Sequence, residues 1–117
     1  MAANTTSATL EEITGSEALF TTAGPSRIMV VMSLSSLSTG VGSNATGGWA
    51  IQINGVNGVE FQRFLSGAND RMMGSASMRS AILSAGTFSI KGMHRRVSGL
   101  KTVTTDALVL LCWPVAP

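Results

Sequence analysis

Trp49, Ile51 and Ile53 alternate with Ala50, Gln52 and Asn54, and the alternation runs straight into Asn54-Gly55-Val56-Asn57-Gly58. A period of two places successive side chains on opposite faces of an extended chain. Asn and Gly tolerate the positive φ of a tight reversal, so two Asn/Gly pairs here predict a β-hairpin with Val59 to Leu65 as its returning strand. In that strand Val59, Phe61 and Arg63 share one face and Glu60, Gln62 and Phe64 the other, which leaves its inward side open. A hairpin in mid-chain needs its apolar face covered, and the remaining segments decide whether helices or more strands cover it.

They read as strands. Leu10 to Thr14 and Glu17 to Thr22 are short candidates, and Ile28 to Ser38 follows the Gly24-Pro25 turn with Ile28, Val30, Met32 and Leu34 on one face. Thr39 to Gly48 reads as a long glycine-rich loop. Met72 to Leu83 has helix-forming residues, but Met72, Ala76, Met78 and Ile82 share one parity and Gly74 and the serines oppose a helix, so a strand or irregular edge is expected. Thr87 to Val97 follows Ser84-Ala85-Gly86, with Phe88 and Ile90 inward and a bulge expected at Gly92. Lys101 to Thr105 is β-branched, and Ala107 to Val115 is an apolar run expected at a sheet centre or in a subunit interface. About eight short strands without a convincing helix mean an all-β, antiparallel β-sandwich, jelly-roll-like in strand count, as one domain over residues 16–117. Residues 1–15 are largely polar and read as an extended N-terminal arm.

Composition narrows the function. Of 117 residues, 44% are hydrophobic and 12% charged, half of the roughly 25% usual for a soluble domain. No apolar run approaches the roughly 20 residues that span a bilayer, and none opens the chain as a signal peptide would, so a soluble, non-secreted protein without membrane contact is expected. The net charge of +2 comes from scattered residues, with His94-Arg95-Arg96 the one basic cluster. That is too little for nucleic-acid binding. Cys112, the single cysteine, lies in an apolar run and reads as an inert buried thiol.

No catalytic constellation emerges. His94 is the only histidine, no nucleophile-elbow sequence is present, and one His and one Cys far apart lack zinc spacing. Asn69-Asp70 or Asp106 offers too few oxygens for calcium. Glu11 and Glu12 are adjacent, so in a strand they point to opposite faces and cannot act as a carboxylate pair. Catalytic, metal and cofactor sites are therefore all expected to be absent.

The run from Ile82 to Val115 carries a further pattern: Ser84-Ala85-Gly86-Thr87, Ile90-Lys91, Arg95-Arg96, the Ser98-Gly99 turn, and the apolar Leu108 to Leu111. It resembles the closing strands of small jelly-roll virion structural proteins of tailed bacteriophages, of the capsid cement or fibre-knob type. The resemblance covers about a third of the chain and implies a structural or binding role without catalysis, commonly as a homotrimer.

The residues point the same way. Met29, Val31, Phe64, Val109, Leu111 and Trp113 fall on the outward parity of their strands, more apolar surface than one small sandwich needs, which suits a homotrimer. Candidate interface residues are Thr9, Leu10, Glu11 and Glu12 on the arm, Arg63, Arg79, Arg95 and Arg96 as polar anchors, His94 beside them, and Leu111 and Trp113 on the last strand. The expectation is a trimeric capsid cement or decoration protein, made in the host cytoplasm and placed on the virion, with the major capsid protein as partner. A head or tail fibre knob that binds a host receptor or glycan is the alternative, with Trp49 and Trp113 as its sugar platforms.

Overall fold

A computed structural model of the chain describes residues 3–39, 44–66 and 71–117. They form ten strands: β1 (Ala3–Thr5), β2 (Glu11–Glu12), β3 (Ala18–Thr22), β4 (Arg27–Thr39), β5 (Asn44–Ile53), β6 (Val56–Asn57), β7 (Phe61–Ser66), β8 (Arg71–Arg79), β9 (Gly86–Gly99) and β10 (Thr102–Val115). Two antiparallel sheets face each other. One runs β1-β10-β4-β8, and the other is built on β9 and β5, with β2 and β3 along the free side of β9 and β6 and β7 along that of β5. The all-β sandwich is as expected. Its 49 Å long dimension is the reach of a 14-residue strand at about 3.4 Å per residue.

The central hairpin forms with a two-residue loop: Ile53 opposes Val56, and Asn54 (φ 50°) and Gly55 (φ 82°) both take the left-handed conformation. The return is broken at Gly58–Glu60 before β7 resumes with Phe61 opposite Trp49. Phe61 and Leu65 face inward, and Phe64 outward with 62% of its surface exposed. Ile28, Val30, Met32 and Leu34 of β4 meet Trp49, Ile51, Ile53 and Ile90 of the opposite sheet in the core, as their alternation predicts.

Several expectations need correction. Residues 44–48 of the expected loop belong to β5 and pair on both sides, while residues 40–43 lie outside the described residues. The segment expected as an arm contributes β1 and β2 to different sheets and fully buries Ile13, whose backbone N–H donates to the Gly92 carbonyl at 2.8 Å. Gly92 sits in regular register. The bulge of β9 falls instead at Val97, where Thr46 opposes Ser98 but Gly47 opposes Arg96. The two closing segments are one strand with a bulge at Asp106. β1 covers only Val103–Thr105, so Ala107–Val115 has, among the described residues, no strand beyond it. That run is a sheet edge and not a sheet centre.

Candidate functional site

The two outer faces of the sandwich differ in chemistry. On the six-stranded sheet, Leu19 and Phe64 are exposed singly, and charged side chains are fastened to one another. Glu60 accepts from Arg95 through two bonds, Nε at 2.5 Å and Nη2 at 2.8 Å, and Arg95 Nη1 also donates to the Ala8 carbonyl at 3.0 Å. These bonds hold the Glu60 carboxyl below the ordinary range against the opposing effect of burial. Lys91 pairs with Glu12 at 3.1 Å and stands 3.8 Å from Glu17.

The outer face of the four-stranded sheet carries apolar and hydroxyl groups in rows. Trp113 lies beside Met29 and Arg79, Leu111 beside Val31 and Ser77, Val109 beside Ser33 and Ser75, and Ala107 beside Ser35 and Met73. Val109, Leu111 and Trp113 are 56%, 58% and 41% exposed, although strand positions of this kind are normally covered. The bulge at Asp106 ends the column. There burial pushes the Asp106 carboxyl up, but donation from Ser35 Oγ at 2.7 Å and from Arg71 outweighs it and holds the group low. A shallow depression of about 430 Å³ lies at this end, between Ala107, Ser35 and Met73.

Between the sheets sits one polar knot. Trp49 Nε1–H donates to Thr105 Oγ1 at 3.1 Å, and Thr105 Oγ1 is 3.1 Å from His94 Nδ1. Indole only donates, so the hydroxyl accepts from Trp49, and its second lone pair or its own proton meets His94 Nδ1 according to the imidazole tautomer. Burial lowers the His94 pKa to about 4 against the opposing pull of Glu11, so the ring is neutral at pH 7.

The expected interface residues therefore separate. Leu111, Trp113 and Arg79 share the outer face of the four-stranded sheet. His94 is 1% exposed and belongs to the interior, because its parity on β9 matches Ile90 and the neighbouring Trp49 offers a buried partner; its place at a surface is corrected. Arg95 and Arg96 are tied within the chain: Arg96 Nη1 donates to the Leu100 carbonyl at 3.1 Å, and its backbone N–H to the Ser7 carbonyl at 2.8 Å. Glu11 opposes His94 across the strands and accepts from Thr5, Glu12 meets Lys91, and Thr9 and Leu10 form the short link leading into β2. Arg63 is exposed on β7, with its guanidinium 6.0 Å from the Phe61 ring centre.

Trp49 is fully buried and presents no platform to a sugar. Cys112 is half-buried on the inner side of β10, and burial raises its thiol pKa. Asp70 lies outside the described residues, and among the described residues no group of three His, Cys, Asp or Glu could hold a metal ion. The open column of β10 was legible as outward parity; the Trp49–Thr105–His94 knot was not, since its members lie on three strands of two sheets.

No family model matches the chain, and no curated protein matches it. Among solved structures, it is similar to the insecticidal delta-endotoxin Cry8Ea1 from Bacillus thuringiensis, with a TM-score of 0.55 and 14% identity over 97% of this chain and 19% of the toxin. It is also similar to a family 35 carbohydrate binding module from an environmental isolate, with a TM-score of 0.42 and 15% identity over 98% of this chain and 90% of that one. This chain thus spans about a fifth of the toxin's length, and at 14% identity the likeness to the toxin is one of fold.

Proposed function

We propose that this protein is a non-enzymatic virion component of the capsid cement type, a homotrimer that binds the assembled shell of the major capsid protein and stabilises it. The observation that carries the reading is the asymmetry of the sandwich. One outer face carries intrachain pairs such as Glu60–Arg95 and Lys91–Glu12 with Leu19 and Phe64 exposed singly on separate strands, and the other presents Val109, Leu111 and Trp113 uncovered in one continuous column. Such a one-sided surface suits a module that works inside an assembly. Neither nucleic acid nor membrane is a partner in this reading, and the work is done by mass action: a protein that binds only the assembled shell shifts the equilibrium toward it.

Mixing the purified protein with shells that lack it tests the proposal. Saturable binding in many copies per shell, with a higher temperature of shell disruption, is the expected result. Binding to cells or glycans with shells left bare would overturn it in favour of a receptor-binding knob.

A further inference from the structure

We infer that the outer face of the four-stranded sheet is where copies of this chain meet, with the three β10 strands gathered around the symmetry axis of the trimer; this deepens the reading above and names its self-association surface. Three observations select a second copy as the occupant. The first is charge. Symmetry brings like residues near one another, which penalises any surface with unpaired charge at its centre. The rows of Leu111, Val109 and Ala107 carry only apolar groups and serines. Arg71 is neutralised by Asp106 at one end, and Arg79 at the other stands on β8, two strands away from the β10 column.

The second is the edge. Ala107–Val115 borders this face and has no strand beyond it among the described residues, although a long apolar edge is normally covered in a stable protein. The third is area. Three strands by four rows make a face of about 400 Å², whereas a standard two-body interface takes about 800 Å² from each partner. A ring in which every copy meets two neighbours, using the β10 edge as well as the face, covers more of each copy than a pair joined by this face alone.

The experiment is the solution mass of the full chain and of Leu111→Lys, Val109→Lys and Phe64→Lys. Three times the 12.1 kDa chain, about 36 kDa, is expected for the unmodified protein. Leu111→Lys and Val109→Lys should run as folded monomers by circular dichroism, while Phe64→Lys, equally exposed but on the other sheet, should keep the trimer mass. Should a lysine variant unfold, thiol labelling of Ser75→Cys in a Cys112→Ser background replaces it. Labelling many-fold slower than at Ser98→Cys supports the interface, and equal rates overturn it. A monomeric unmodified protein at high micromolar concentration, or a trimer indifferent to Leu111→Lys and Val109→Lys, also overturns it. A trimer with the expected dependence that leaves shells bare overturns the cement reading alone.

Discussion

Glu60 and Arg95 meet across a strand that belongs to neither of them. Arg95 is on β9 and Glu60 just precedes β7, with β5 between them, and the carboxylate passes over Gly48, whose missing side chain leaves room for it on this face of β5. A Cβ there would lie 2.3 Å from Glu60 Oε2. Gly48→Ala should therefore push the carboxylate aside without disrupting the sheet. The expected outcome is a Tm lower by a few degrees and a Glu60 titration, followed by carboxyl NMR, that moves back up toward 4.5. With the folded-state value depressed, the pair's contribution is full above that ordinary value and fades as pH falls through the depressed one. Glu60→Gln should remove this part of the acid dependence.

Gly47 points the other way, and its substitution should cost more. A Cβ at this position would stand 2.3 Å from Cη2 of Trp49. That indole cannot retreat, since it stacks on Phe61 at 5.6 Å and donates to Thr105. Overpacking of this sort costs about 1–3 kcal/mol. Chemical denaturation of Gly47→Ala, with tryptophan fluorescence as the probe, should show a loss of that size.

Thr105→Val keeps the shape and removes the hydroxyl that joins the sheets. Trp49 Nε1–H and His94 Nδ1 would both lose their partner in the interior. Each unsatisfied buried group costs about 1–3 kcal/mol, so the variant should be among the least stable of the conservative core changes. Thr105→Ser, which retains the hydroxyl, should recover most of the loss in the same denaturation assay.

Acid should loosen the same knot. His94 titrates at about 4 in the folded chain against 6.5 for a free imidazole, so between those values the unfolded chain binds a proton that the folded chain refuses. The contribution of neutral His94 is then fully present above pH 6.5 and is lost as pH is lowered toward 4. The shift corresponds to about 3 kcal/mol. Unfolding free energies at pH 7 and pH 5 should differ in the native protein, and the slope across this window should flatten in His94→Gln.

Ser16 fastens the N-terminal segment. Its Oγ accepts from the Gly92 N–H at 3.0 Å and donates to the Gly92 carbonyl at 3.2 Å, both out of water. Ser16→Ala should cost about 1–2 kcal/mol and speed proteolysis at residues 6–15, where the segment changes sheets.

Much of the fold was legible because β structure writes its pattern into the chain one residue at a time. The parity of Ile28 to Leu34, the Asn54-Gly55 turn and the outward parity of Val109, Leu111 and Trp113 are local properties, and each survives in the structure. Pairing is not local. The sequence could not place β1 beside β10 or β2 beside β9, since those partners lie some eighty to a hundred residues apart and short polar strands carry little apolar signal. Gly47 and Gly48 read as loop residues because glycine usually marks a reversal, whereas here an indole on one side and a carboxylate on the other occupy the volume their side chains would fill. His94 read as a surface or interface residue beside two arginines, and only the packing of β9 against Trp49 and Thr105 made it an interior one. The sequence by itself determined strands, turns and faces, which depend on backbone sterics and alternation. The tertiary structure decided which faces met and which stayed open, because burial depends on neighbours that chain order does not name.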